Sequence, residues 1–254
     1  MKNIIILGSG RSGTSMFAGI FSKSGYFIGG KPYPPRHSNP KGFFETKEVN
    51  RINEEIIAKT IPNRPPIIGN LFFRNRPRNN QRWLSQIPLY TKLKINKNII
   101  DSIIKLTEIE PYCFKDPRFS YTLPVWKPYL KNCLYLCIFR DPATTANSIL
   151  KECTEVDYLK DLKINRDQAL KIWYLMYKHI IEIHSKEGNW HFCHYDQAFD
   201  MDVLEILSLK IGTEIDYSFP EKHLNRSSLN FSVPTEIDAI YKKLCKLAGY
   251  QYAK

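Results

Sequence analysis

The sequence contains no apolar run long enough to cross a membrane, and the apolar run near its N-terminus is too short for a signal peptide. Its six cysteines form no C-x-x-C pair and no Cys/His spacing of the kind that binds zinc. Low-complexity tracts and internal repeats are also missing. These absences argue against membrane-spanning, disulfide-stabilised and zinc-finger proteins. We therefore expect a cytoplasmic protein with reduced core cysteines and no membrane partner.

Positive charge is the unusual feature of the composition. The 37 Lys and Arg residues outnumber 25 Asp and Glu, which leaves a net charge of +12 over 254 residues. Such an excess favours an anionic substrate or cofactor. Nucleic acid would also suit it, but "RNRPRNNQR" at 74–82 is the main basic cluster and no recognised nucleic-acid-binding motif accompanies it. A solvated loop is the simpler interpretation of this cluster, so we expect no specific nucleic-acid partner.

Strand and helix patterns alternate along the chain, which predicts an α/β fold. Predicted strands lie at 3–7, 112–115, 132–139 and 190–195, and predicted helices lie at 14–24, 45–59, 92–108, 141–150, 167–186, 198–212 and 236–247. The prolines and arginines of 61–83 predict no regular structure there. We expect a single domain over 1–254, with a mostly parallel central sheet flanked by helices.

The segment "GSGRSGTS" at 8–15 predicts an anion-binding loop between the first strand and the first helix. Its small residues Gly10, Ser12 and Gly13 let backbone N–H groups approach an anion. Thr14 and Ser15 add hydroxyl donors at the helix start, and the guanidinium of Arg11 can donate two hydrogen bonds to phosphate or sulfate oxygens. A tight turn with glycines for packing alone is the alternative.

The loop departs from the ATP- and GTP-binding pattern G-x-x-x-x-G-K-[ST], because Thr14 stands where the lysine belongs. A Mg²⁺-binding aspartate is also not evident, since Asp116 and Asp141 lie in the basic contexts "KDPR" and "RDP". We expect Asp116 to orient Arg11 or to cap its turn. These departures disfavour magnesium-dependent phosphoryl transfer and predict no metal site.

Two motifs carry a resemblance to a known family. "GSGRSGTS" resembles the 5′-phosphosulfate loop of sulfotransferases that use 3′-phosphoadenosine 5′-phosphosulfate (PAPS), in the arginine form of the bacterial branch among others. "CIFRDPATTANSIL" resembles the family's 3′-phosphate motif, with Arg140 and Ser148 at the matching positions. The resemblance covers about Asn3 to Leu150 well. It implies a P-loop NTPase-like sulfotransferase fold, PAPS as donor and 3′-phosphoadenosine 5′-phosphate (PAP) as product.

The resemblance also implies roles for single residues in a metal-independent, in-line transfer of a sulfuryl group to a hydroxyl. Arg11 would contact the leaving oxygen, and Lys115, which matches the family's Lys-Asp-Pro lysine, would contact the transferring group. Glu45 is the candidate base, because related enzymes use a glutamate from this region. A helix-capping role for Glu45 and a base role for His37 stay open.

The acceptor site is expected to form from loops 26–44 and 61–83, with His37, Phe43 and Phe44 as candidate substrate-binding residues. Arg226, followed by Ser227 and Ser228, is a candidate for closing over the nucleotide. The expected acceptor is a small molecule or a glycan, and the oligomeric state is open. Two other functions compete: a divergent P-loop kinase or NTPase, and a non-catalytic module that binds polyanions.

Overall fold

A four-stranded parallel sheet forms the centre of the protein, which we describe from a computed structural model over residues 1–35, 40–221 and 231–251. The strands are β1 (Asn3–Leu7), β2 (Cys113–Lys115), β3 (Cys133–Phe139) and β4 (Asn189–His194). Their order across the sheet is β2-β1-β3-β4. All the pairings are parallel, so the four carboxyl ends lie along one edge of the sheet.

Helices cover both faces of the sheet. They are α1 (Thr14–Ile20), α2 (Lys47–Thr60), α3 (Gly69–Phe72), α4 (Lys97–Thr107), α5 (Phe119–Trp126), α6 (Pro142–Glu155), α7 (Arg166–Glu182), α8 (Met201–Ile211) and α9 (Thr235–Ala248). This arrangement confirms the predicted single α/β domain with a parallel sheet flanked by helices.

Alternating side chains of β1 divide the apolar core into two layers, because neighbouring residues of a strand point to opposite faces. Ile4 and Ile6 pack with residues of α1 and α8. Ile5 and Leu7 pack with residues of α2 and α5 to α7 on the other face. All four side chains are fully buried, as expected for a central parallel strand.

Several boundaries differ from the sequence-based expectations. The helix predicted at 14–24 ends at Ile20, and the helix predicted at 141–150 continues to Glu155. The predicted helix at 92–108 begins only at Lys97, because the side chain of Asn96 accepts a hydrogen bond from the N–H of Ile99 and caps the helix there. The segment 61–83 was predicted to lack regular structure, and that prediction was wrong for the short helix α3 and for a single 3₁₀ turn at Arg82–Leu84. Within the described ranges, no helix is both long and apolar enough to cross a bilayer.

Candidate active site

A cavity of about 400 Å³ opens at the carboxyl edge of the sheet. Every strand delivers a residue to its wall at or just after its last position. Gly10 and Arg11 follow β1, Lys115 ends β2, Arg140 follows β3 and Tyr195 follows β4. This is the edge at which open α/β sheets bind ligands.

The loop between β1 and α1 approaches two aromatic rings so closely that it requires glycine. A Cβ on Gly10 would lie 2.5 Å from the ring of Trp83, and a Cβ on Gly13 would collide with the ring of Tyr195. Gly13 also has a φ of +92°, which residues with a Cβ rarely adopt. Both glycines line the cavity, so their missing side chains bring the backbone to its wall.

Backbone N–H groups at the start of α1 are available to an anion. In the described part of the chain, no backbone or side-chain oxygen accepts a hydrogen bond from the N–H of Thr14 or Ser15, and no side chain caps the helix. The first N–H groups of a helix carry a partial positive charge. The geometry therefore fits a phosphate or sulfate group at Thr14 and Ser15.

Arg11 joins this loop to α6. Its Nε donates a hydrogen bond to the Oγ of Ser148 over 3.1 Å, and its guanidinium lies 3.4 Å from a carboxylate oxygen of Glu152. Ser148 and Glu152 are four residues apart and therefore share one face of the helix. Arg11 has a φ of 70°, an unfavourable conformation for a residue with a Cβ, and these contacts from α6 help to hold it.

Lys115 and Glu45 form an ion pair inside the cavity, with 2.5 Å between Nζ and Oε1. Nζ also donates a hydrogen bond to the Oγ of Ser15, 3.1 Å away. The second carboxylate oxygen of Glu45 accepts a hydrogen bond from the side chain of Asn50 over 3.0 Å. Burial raises the pKa of Glu45, but the charges of Lys115 and Arg118 outweigh burial and hold this pKa below its ordinary value.

Arg118 links the glutamate to a buried polar network. Its guanidinium donates hydrogen bonds to Asn50, Asp116 and Glu54, all within 3.3 Å. The carboxylate of Asp116 also accepts a hydrogen bond from the N–H of Arg118, so it caps the turn after β2. Asp116 was expected either to orient Arg11 or to cap its turn. It caps the turn, whereas the side chain of Arg11 bonds Ser148 and Glu152.

Arg140 also lines the cavity. Its guanidinium stacks on the ring of Tyr195 at 4.4 Å, and its carbonyl oxygen accepts a hydrogen bond from the indole of Trp173. Burial lowers the pKa of Arg140, so the enclosed site disfavours its charge. A bound anion would compensate for that loss of hydration.

Solved structures share this architecture. The sulfotransferase domain from the curacin biosynthetic pathway aligns with a TM-score of 0.55 at 15% identity, over 99% of both chains. The sulfotransferase domain of the Synechococcus PCC 7002 olefin synthase aligns with a TM-score of 0.51 at 17% identity, over 100% of this chain and 98% of that one. The chain has the sulfotransferase fold. No family model matches the sequence, and a search of curated proteins found no match.

On this sulfotransferase fold, most of the candidate residues lie together. The cavity wall includes these candidate residues: Gly10, Arg11, Gly13, Thr14, Ser15, Phe43, Glu45, Lys115, Arg140 and Ser148. Ser12 is buried behind the loop, where its Oγ accepts a hydrogen bond from Tyr177. Phe44 packs edge-to-face on Phe219 and is not part of the wall. His37 and Arg226, with Ser227 and Ser228, lie outside the described residues.

Sequence reasoning missed several residues of the wall. Glu152 could have been found, because it lies one helical turn after Ser148. Asn50 could have been found in the same way, on the first turn of a helix that follows Glu45 directly. Tyr195 gave no such signal, because only the folded chain brings it to the glycine loop. Trp83 belongs to the segment 61–83, which was expected to contribute to the acceptor site, and the structure places its ring against Gly10. Within the described ranges, no group of three or more His, Cys, Asp or Glu side chains could hold a metal ion.

Proposed function

We propose that the protein is a sulfotransferase that moves a sulfuryl group from PAPS to a hydroxyl group of a small-molecule or glycan acceptor. One observation carries this proposal. The anion-binding loop, Lys115, and the pair Arg140 and Ser148 follow three different strands, yet they line one cavity on a sulfotransferase fold. The fold alone does not fix an activity, so the proposal rests on these side chains.

The donor's charge matches the cavity wall. PAPS is a polyanion, and the wall carries the cations Arg11, Lys41, Lys115, Arg118 and Arg140 against the carboxylates Glu45, Glu152 and Glu221. In the proposed arrangement, the N–H groups and hydroxyls of Thr14 and Ser15 bind the 5′ end, together with Arg11. Arg140 and Ser148 bind the 3′ phosphate. Each anionic end is thereby given a cationic side chain.

The proposed sulfuryl transfer depends on the charged groups that lie beside the anion-binding loop. PAPS supplies an activated sulfuryl group, whose bond to the donor phosphate breaks while a bond to the acceptor oxygen forms. Lys115 places a positive charge beside Ser15, where negative charge on the sulfuryl oxygens is stabilised. Glu45 lies on the same side and accepts the proton of the attacking hydroxyl. Proximity and fixed charges supply the rate enhancement.

The acceptor is proposed to bind beside Glu45. Tyr33, Phe43 and Phe219 line this part of the wall and offer apolar and stacking surface. Lys41, whose ammonium lies 4.5 Å from the ring centre of Phe219, pairs with Glu221. An uncharged alcohol or phenol suits a wall in which the charged groups already have partners.

A thermal-shift titration in EDTA tests the donor assignment. PAP is compared with ATP, ADP and AMP. A ligand at about a hundred times its dissociation constant adds about 2.7 kcal/mol to stability, which is easily seen as a rise in Tm. We expect a large shift for PAP alone, lost in Arg140→Ala and kept in Arg51→Ala, an exposed arginine on α2. Mass spectrometry then detects sulfate esters after incubation with PAPS and a panel of phenols and sugar alcohols.

The other outcomes separate the competing functions. A shift with ATP that needs Mg²⁺, and none with PAP, would favour a kinase or NTPase. Binding to heparin with a steep salt dependence, and no preference for a 3′-phosphorylated nucleotide, would favour a polyanion-binding module. PAP binding without ester formation from any acceptor would leave the donor site in place and contradict the catalytic roles.

A further inference from the structure

Four apolar side chains project into solvent from one turn of the chain. Ile67, Ile68, Leu71 and Phe72, on α3 and the turn before it, form what we call the apolar tip. Ile67, Leu71 and Phe72 are between 74 and 84% exposed. Single exposed apolar residues are ordinary, but four within six positions are not, and such a patch commonly marks an interaction surface.

The apolar tip is held in place by a buried arginine. The side chain of Arg64 is only 1% exposed, and its guanidinium donates hydrogen bonds to the carbonyl oxygen of Gly69, to the side chain of Asn70 and to Asp161. Arg78 also bonds both Asn70 and Asp161. Burying a guanidinium is costly unless its donors are satisfied. The fold therefore supports a defined turn whose apolar side chains face outward.

Positively charged side chains follow the apolar tip directly in the chain. Arg74 and Lys163 are both exposed, and they are neighbours, because the N–H of Lys163 donates a hydrogen bond to the carbonyl oxygen of Arg74. The guanidinium of Arg76 stacks on the ring of Phe73 beside the tip, 4.2 Å from its centre. The nearby carboxylate of Asp161 is neutralised by Arg64 and Arg78. An apolar centre with a basic border is the pattern that anionic lipid surfaces attract.

We propose that the apolar tip docks the protein on an anionic lipid surface, with the four side chains inserted at the level of the headgroups. A patch of four side chains is small beside the roughly 800 Å² per partner that a stable protein interface buries. Insertion into a bilayer needs no matching partner surface, and each basic side chain near an anionic lipid surface strengthens the attraction. This proposal does not rest on the sulfotransferase activity. It departs from the sequence-based expectation of no membrane partner, since exposure is not visible in a sequence.

Flotation of the full-length protein with vesicles tests the proposal. One set of vesicles is made of phosphatidylcholine alone and one of equal parts phosphatidylcholine and phosphatidylglycerol. We expect the protein to float with the anionic vesicles only. Phe72→Asp and Leu71→Asp should each weaken binding by about tenfold or more, because each removes the gain from burying a large apolar side chain. Leu209→Asp is the matched control, since Leu209 is 82% exposed on α8, far along the chain from the tip.

Several results would overturn the proposal. Absence of binding to either set of vesicles would do so. Equal binding by Phe72→Asp and by the wild type would show that charge alone is responsible. Sedimentation equilibrium checks for a second copy of the chain: self-association that Phe72→Asp abolishes, without vesicle binding, would assign the tip to a dimer. A Tm that is unchanged from wild type, followed by circular dichroism, confirms that each variant is folded. This is expected because the substituted side chains are exposed.

Discussion

Lys115 and Glu45 come from different parts of the chain and meet in the cavity with 2.5 Å between Nζ and Oε1. Lys115 is the last residue of β2, and Glu45 lies just before the N-cap Thr46 of α2. Glu45 uses its carboxylate to bond Lys115 and Asn50. The pair places a cation and a proton acceptor at the same point of the site.

Glu45→Gln should abolish most of the proposed activity. The amide keeps the size of the side chain but cannot accept a proton, so we expect kcat to fall about 100- to 10,000-fold. PAP binding should change little, because the nucleotide contacts lie on other residues. Kinetics with the best acceptor from the panel and a PAP titration measure the two effects. Glu221→Gln, a carboxylate of the same wall that pairs with Lys41, is the matched control and should stay within a few-fold of wild type.

The acid side of the pH–rate profile distinguishes the two candidate bases. Because the folded protein holds the pKa of Glu45 below its ordinary value, this carboxylate stays ionised down to about pH 4.5 and lower. We therefore expect kcat/KM, which reports ionisation of the free enzyme, to stay level as pH falls through 6.5, about the pKa of an ordinary histidine, and to decline only in more acidic solution. A decline centred near pH 6.5 that disappears in His37→Gln would assign the base to His37.

Asn50 should position Glu45. Arg118 can only donate hydrogen bonds, so the amide of Asn50 must present its oxygen to Arg118 and its NH₂ group to Glu45. Asn50→Leu removes the hydrogen bond and should raise the pKa of Glu45. Asn50→Asp adds a like charge and should raise it further. Carboxyl ¹³C NMR measures this pKa, with Glu45→Gln identifying the resonance, and an unchanged value in both variants would contradict a positioning role.

Gly13→Ala should disrupt the anion-binding loop. Besides about 1–2 kcal/mol for a Cβ at a left-handed φ, the new methyl group collides with the ring of Tyr195. Gly25→Ala has the same backbone cost, at a φ of +75°, but meets no atom within 4 Å. Chemical denaturation should therefore show a larger loss for Gly13→Ala than for Gly25→Ala. PAP binding should be lost in Gly13→Ala and kept in Gly25→Ala. Equal losses of stability in the two variants would mean that the ring of Tyr195 moves away from the new methyl group without cost.

Glu152→Gln should strengthen PAP binding by a few-fold. The buried carboxylate lies 3.4 Å from the guanidinium of Arg11, in a cavity proposed to hold a polyanion. Removing its charge lowers the repulsion of the nucleotide and leaves the side-chain volume unchanged. Glu155→Gln, an exposed carboxylate on the same helix, should have no effect. Isothermal titration calorimetry measures both, and weaker binding by Glu152→Gln would instead make Glu152 necessary for holding Arg11.

Much of the fold followed from local patterns. The four strands and the main helices begin and end close to their predicted positions, because buried parallel strands and amphipathic helices have distinct periodicities. The helix at 92–108 was predicted too long, since its N-cap at Asn96 lies inside an otherwise helical pattern. The helix α3 was missed, because a buried Arg64 rather than an apolar face supports it.

Local sequence patterns were enough to predict the chemistry available at the sheet edge. Lys115 ends a strand, and Arg11 and Arg140 each follow one, so all three must lie at one edge of the sheet when the strands are parallel, whatever the details of packing. Long-range packing, in contrast, determines which charges neutralise one another: Arg11 with Glu152, and Lys115 with Glu45. It also decided that Trp83 and Tyr195 close on the glycine loop and that Phe72 faces solvent. Such contacts join residues far apart in the chain, and no local periodicity encodes them.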